Sequence, residues 1–239
     1  MNQGYSSQHW ATYLQWARLG ARIRQGERGS PIVFYKFDDD EAMYEDAGAL
    51  KEHRNAILVR MSYVFNEMQV EGWQSDASPN IDITTRLQTT EAFLAGLHAD
   101  IRHGGSYAAY NPTQDFILMP ERNRFFNTAT RSATEAYYSV LLHEHVHWSG
   151  HKSRLNRDLT GHSGSRAYAM EELNAELGAA FLCAELTISV EPRQDHAAYV
   201  ATWLSVLKDD KTAIVKAAKA ATIATEYLMK LATPIALSE

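Results

Sequence analysis

The stretch Leu141-Leu142-His143-Glu144-His145-Val146-His147-Trp148-Ser149-Gly150 decides how the chain is read, because it sets the pattern HExxH inside an apolar, helix-forming run. His143 and His147 are four residues apart. On a helix that spacing puts two side chains on one face with β-carbons about 5–6 Å apart, so two imidazoles can hold one cation. Glu144, beside the first of them, can reach water activated by that cation. Ser132-Ala133-Thr134-Glu135 supplies a capping box to start the helix, and Gly150 can end it.

A cation needs a third protein ligand, and the sequence limits its source. The extended pattern HExxHxxGxxH fails, because Gly150 is in place but Ser153 stands where the third histidine belongs. Cys183 is the one cysteine, so it cannot join a thiolate site and is expected to sit in the core of its helix. A carboxylate on the following helix remains. Met170-Glu171-Glu172-Leu173-Asn174-Ala175-Glu176-Leu177-Gly178-Ala179-Ala180-Phe181-Leu182 is amphipathic, with small residues suited to close packing on the HExxH helix. Glu172 and Glu176 share a face. Glu171 points about 100° away from Glu172, so only one of the two adjacent glutamates can face the ion.

These motifs resemble the zincin metallopeptidases of the glutamate-ligand type. The resemblance implies Glu172 as the ligand ahead of Glu171, and Glu176 as the carboxylate that holds a ligand histidine through its free ring N–H. His151, one turn beyond His147, is a further candidate for contact with the site; the alternative is a surface group at a helix end.

Composition bounds the rest. The 239 residues fit one large or two small domains, and 45% hydrophobic content is enough for a sizeable core. A single cysteine suits a reducing cytoplasm, no long apolar run suggests a membrane span, and the polar start MNQGYSSQHW is not a secretory signal. A cytoplasmic location is therefore expected, with no membrane partner. The net charge of −6 argues against a chain that coats nucleic acid throughout.

The charge is unevenly spread. Residues 1–36 carry Arg18, Arg22, Arg24, Arg28 and Lys36 against the lone acid Glu27, interleaved with Tyr5, Trp10, Tyr13, Trp16, Phe34 and Tyr35. Basic plus aromatic is the pattern of phosphate contact and base stacking with single strands, and Arg22, Arg24, Arg28, Trp10 and Trp16 are the candidate contacts. The competing reading packs those aromatics in a small core. The acidic run Asp38 to Asp46 reads as an exposed loop.

Periodicity predicts a helix over Ser7–Leu19, strands over Ala21–Arg24 and Ile32–Phe37 joined by the turn at 25–30, a strand over Ala56–Phe65, and a loop at 74–80 that ends a first domain (1–80). In the second (81–239), a helix is expected over Thr90–Ile101, then a hairpin of Tyr107–Tyr110 with Phe116–Met119, then the two metal helices. Alanine-rich helices are expected at 194–209 and 211–232. His103-Gly104-Gly105-Ser106 reads as a helix-ending turn, since no GxSxG elbow accompanies it.

Taken together, Thr12 to Phe37 (TYLQWARLGARIRQGERGSPIVFYKF), Tyr63-Val64-Phe65-Asn66, and Leu141 to Leu159 (LLHEHVHWSGHKSRLNRDL) resemble the ArdC antirestriction family and the related TraC-type primase N-terminal regions carried by plasmids. The resemblance implies an α+β chain: a small α/β N-terminal single-stranded-DNA-binding domain followed by a zincin-like metallopeptidase domain. Family members normally carry a further segment before the Tyr/Trp helix, so the DNA-binding domain is expected to be shortened and its binding weak. The expected chemistry is zinc-dependent peptide hydrolysis, with manganese as the other cation. His143, His147 and Glu172 hold the ion, which lowers the pKa of water towards about 7; Glu144 takes that water's proton and passes it to the leaving amine. Tyr168 and His162 are candidate oxyanion partners, and the strand near Phe116–Met119 a candidate edge for an extended peptide or protein substrate. The alternative is a non-catalytic single-stranded-DNA-binding protein whose metal only braces the fold.

Overall fold

Ser132 accepts the Glu135 N–H at 3.2 Å while the Glu135 carboxylate accepts the Ser132 N–H at 2.9 Å, so the HExxH helix starts where its capping box predicts. The computed structural model describes residues 5, 7, 9–37, 57–73, 83–128, 131–162, 164–188, 203, 207, 208, 210 and 212–232. The chain divides into two compact units, Met1–Asn80 and Ile81–Glu239.

The first unit has strands β1 (Trp10–Thr12), β2 (Arg22–Ile23), β3 (Ser30–Phe37), β4 (Ile57–Asn66) and β5 (Val70–Glu71), and a short helix α1 (Tyr13–Arg18). β4 is the centre of an antiparallel sheet in the order β1-β4-β3, and β2 pairs with β5. Two expectations change. The predicted first helix begins only at Tyr13, since Trp10–Thr12 pairs with Val64–Asn66 and Thr12 closes a capping box with Gln15. The strands on either side of the 25–30 turn do not pair with each other, because each finds a longer-range partner. The core is small: Trp16, Ala21 and Val70, flanked by Ala11, Ile23, Phe65 and Trp73. The Trp16 indole N–H donates to the Phe65 carbonyl at 2.8 Å, tying α1 to β4. The acidic run and the 74–80 loop lie outside the described residues.

In the second unit α2 (Ile83–Leu97) leads into β6 (Asp100–His103), β7 (Ala109–Asn111) and β8 (Phe116–Met119), followed by α3 (Ala133–Ser149), α4 (Arg166–Glu185) and α5 (Ala213–Ala232). The helix expected over Thr90–Ile101 therefore starts earlier and ends at Leu97. His98 takes a positive φ of 53°, and Asp100–His103 runs parallel to β8, so the glycine pair after His103 ends a strand. β7 and β8 form the expected hairpin, with the Asn111 side chain accepting the Thr113 and Gln114 N–H groups at 3.0 Å. Most of the helix expected at 194–209 lies outside the described residues; Trp203 and Leu207 pack on Ala169 and Ala213.

α4 packs against both α3 and α5. On α5 the stripe Ala213, Ala217, Ala221 and Ala224 is buried, as packing at helical period requires. Between α3 and α4, Gly178 lies so close to Val146 that a Cβ on the glycine would sit 2.8 Å from a Val146 methyl. Cys183 is buried in the core, as expected. Among the described residues no helix is long and apolar enough to cross a membrane.

Gly178→Leu is expected to force α3 and α4 apart and lower the unfolding free energy by about 1–3 kcal/mol, beyond the roughly 1 kcal/mol that removing a helical glycine returns. Denaturant unfolding measures it, and an unchanged midpoint contradicts the close approach.

Candidate metal centre and nucleic-acid interface

Because His143 and His147 occupy successive turns of one face of α3, their Nε2 atoms come within 3.2 Å of each other. α4 crosses that face and brings the Glu172 carboxylate to 3.6 Å from both, through Oε2 to His143 and Oε1 to His147. One donor atom from each of the three lies within 4.8 Å of the others. Glu172, rather than Glu171, thus meets the two Nε2 atoms.

Carboxylates stand behind both rings. Glu176 Oε1 approaches His143 Nδ1 at 3.3 Å, without the alignment of a hydrogen bond, and Glu171 Oε1 accepts from His147 Nδ1 at 3.1 Å. A carboxylate only accepts, so these contacts favour the ring proton on Nδ1 and leave the Nε2 lone pairs turned to one point. Two imidazoles and a carboxylate so arranged fit a divalent cation such as zinc. Glu171 as a support for His147 is a role the sequence did not reveal; helix phase separated it from Glu172 but gave no sign of what it would touch. Burial raises the Glu171 carboxyl, but hydrogen bonds from His147 and Arg157 outweigh that and hold it at about 2.

Glu144 is buried, 5% exposed, and opens onto a cavity of about 240 Å³ shared with His143, His147 and Glu172. The far wall is β7, through Ala109 and Tyr110, and the loop of Asp158, Leu159 and Gly161. Tyr168 also lines the cavity and is one of the groups, after the two histidines, that hold the Glu172 carboxyl below its usual range against burial. The structure does not bring His162 or His151 to the cavity lining: His162 is exposed, and His151 turns its Nδ1 to Ser153 at 2.7 Å. The middle histidine of the motif, His145, faces away into the core, donates to the Leu141 carbonyl at 2.7 Å, and is pushed down to about 4 by burial.

The expected edge at Phe116–Met119 is corrected: β8 is paired on both sides, and among the described residues the strand of this sheet that lines the cavity with one side unpaired is β7.

In the first unit, Trp16 is 2% exposed, which corrects its reading as a stacking residue: its ring is spent on the core. Arg24 is committed to Glu27 and to the Met68 carbonyl. Arg22, Arg28 and Trp10 are exposed. Strand register puts Trp10, Ile32, Phe34 and Arg60 on one face of the β1-β4-β3 sheet; Phe34 is 58% exposed, and Arg60 also reaches solvent. Arg60 was missed because it lies in a strand whose apolar residues dominated the reading.

Residues 88–220 match the profile of a zincin-like metallopeptidase family, and residues 1–65 match the N-terminal domain of anti-restriction factor ArdC. The solved ArdC protein from plasmid R388 is 37% identical in its metal-free structure, which covers 96% of this chain and 80% of that one with a TM-score of 0.67. The chain belongs to the ArdC antirestriction family. A Mn(II)-bound structure of R388 ArdC matches equally well, at 36% identity, 97% and 80% coverage and a TM-score of 0.66. The uncharacterized protein y4eC of Sinorhizobium fredii is 46% identical over 92% of this chain and 70% of its own length. DNA primase TraC of Escherichia coli is 34% identical over 96% of this chain, which spans 16% of that primase.

Burial pushes the His147 imidazole down, but the hydrogen bond to Glu171 and the charges of Glu144, Glu171 and Glu172 outweigh it and hold the ring at about 9. A cation binding there displaces a proton below that pH. Zinc affinity measured by chelator competition is expected to fall by up to about tenfold per unit as pH drops from about 9; equal affinity at both ends of that range contradicts a histidine ligand with this environment.

Proposed function

We propose that this ArdC-family chain carries a zinc-dependent, metallopeptidase-like hydrolytic site in its zincin-like unit (81–239) and binds single-stranded DNA through its N-terminal unit (1–80), in the service of escaping restriction. The reading rests on one observation: two imidazole Nε2 atoms and the Glu172 carboxylate converge at a cavity that Glu144 also lines. His143, His147 and Glu172 hold the ion. A bound divalent cation supplies a Lewis acid that polarises a carbonyl and acidifies water. Glu144 accepts a proton from the attacking water and delivers it to the leaving amine. β7 pairs with an extended peptide, and Tyr168 orients Glu172.

R388 ArdC has been solved with Mn(II), which supports a divalent ion here. We assign zinc because manganese ranks below it in affinity for sites of this kind, with manganese accommodated when abundant. The cytoplasm is the compartment proposed.

One observation favours a second reading. The cavity, about 240 Å³, is smaller than the roughly 300–1,000 Å³ usual for ligand pockets, as a site that braces the fold without turnover would be. Glu144→Gln separates the two. It is expected to retain zinc and the melting temperature of the wild type while abolishing cleavage of a denatured protein substrate and protection against restriction in cells. Undiminished protection in that variant favours the bracing role.

For DNA, the expected behaviour is weak, sequence-independent binding to single strands that weakens with salt. Replacing Arg22, Arg28 and Arg60 together should flatten the salt dependence, and Trp10→Ala should weaken binding at every salt concentration. Anisotropy titrations at two salt concentrations measure both; no binding at low salt contradicts the proposal.

A further inference from the structure

Arg157 lies in the loop after α3, and its guanidinium is largely enclosed, with the side chain 14% exposed. It donates through Nε and Nη2 to the two oxygens of Glu171 at 3.1 and 2.8 Å, through Nη1 to the Ser149 hydroxyl at 2.9 Å, and through Nη2 to the Val146 carbonyl at 2.6 Å. The Val146 carbonyl is among the last four of α3, and it also accepts from the Ser149 hydroxyl at 2.6 Å. The Glu171 oxygen that receives Nη2 is also the one that accepts from His147 Nδ1. Asn174 Nδ2 donates to the other oxygen at 3.1 Å. One guanidinium therefore joins the end of α3 to the carboxylate that orients His147.

We propose that Arg157 is a positioning residue for the metal centre: by clamping Glu171 in a two-pronged pair, it fixes the tautomer and direction of His147. This rests on the reading of His143, His147 and Glu172 as metal ligands. The physical need follows from crowding. Glu144, Glu171, Glu172 and Glu176 all line one cavity, and the guanidinium holds the Glu171 carboxylate on the His147 ring against repulsion from the other three. The planar fork of arginine meets both oxygens of a carboxylate while its remaining donor serves the helix end. A lysine ammonium cannot span the same partners.

Gly150 carries the same inference independently. Its φ of −76° and ψ of −9° suit any residue, so backbone freedom does not explain a glycine here. A Cβ at this position would lie 2.8 Å from Arg157 Nη2 and 3.0 Å from both its Cζ and the His147 carbonyl oxygen, the guanidinium being the nearest neighbour. The glycine leaves room for the guanidinium to reach across the end of α3 to Val146 and Glu171.

The test is zinc affinity of the purified full chain by chelator competition, with thermal melting to confirm that each variant folds. Arg157→Met and Glu171→Gln are each expected to weaken zinc binding by about 10–100-fold, and the double variant no further than the stronger single, since both act on His147 through one connection. Glu176→Gln, acting on His143, should instead add in full to Arg157→Met. Arg157→Lys should recover only part of the loss. Gly150→Ala should weaken zinc binding in a folded chain, and it decides the matter if Arg157→Met does not fold. Wild-type affinity in Arg157→Met or in Gly150→Ala, or full additivity between Arg157→Met and Glu171→Gln, overturns the proposal. A wild-type chain that takes up no zinc overturns the metal reading and this proposal with it, whereas zinc binding unaffected by the Arg157 variants overturns this proposal alone.

Discussion

A glutamate side chain is short, so Glu172 can stand 3.6 Å from both His143 and His147 only if the backbones of α3 and α4 approach unusually closely. Gly178 permits that approach by giving up its side chain to Val146, and Ala175 and Ala179 continue the narrow strip on buried positions of α4. The rest of the larger unit serves this crossing. α5 backs α4 with an alanine stripe, the loop after α3 returns Arg157 across the helix end, and β7 lines the cavity through Ala109 and Tyr110. A bulky residue in the strip would separate the donors without touching any of them.

That crossing also explains how charge is managed. Four glutamates around one small cavity would repel if left bare, yet Glu171 and Glu176 face histidine Nδ1 atoms, Glu172 lies beside both Nε2 atoms, and Arg157 pairs with Glu171. His145 is held neutral by burial on the opposite side of the same helix. Of three histidines within five residues, two face the site and one faces the core, set by which way the helix turns each one.

The HExxH helix, its capping box and the small-residue face of α4 were legible in the sequence because each depends on helical period and on residues within a turn or two; period showed only that one of Glu171 and Glu172 can face the ion, and the resemblance to the glutamate-ligand zincins pointed to Glu172. What was not legible depends on partners far along the chain. Trp16 reads like Trp10 in sequence, but only the pairing of β1 with β4 shows that one ring is enclosed and the other exposed. Asp100–His103 looked like the end of a helix until β8 supplied a parallel neighbour. β8 looked like an edge because its pairing with β6 spans residues that no local pattern links. Arg157 and Glu171 likewise sit 14 residues apart, in a loop and a helix whose junction no motif announces.

X-ray absorption of the zinc-loaded chain tests the central claim most directly, because it reports the atoms around the ion without relying on turnover. The account predicts two imidazole nitrogens at about 2.0–2.1 Å with carboxylate oxygen in the same shell, and the loss of one imidazole in His147→Ala. A shell of oxygen atoms alone, or a spectrum unchanged by His147→Ala, would contradict it.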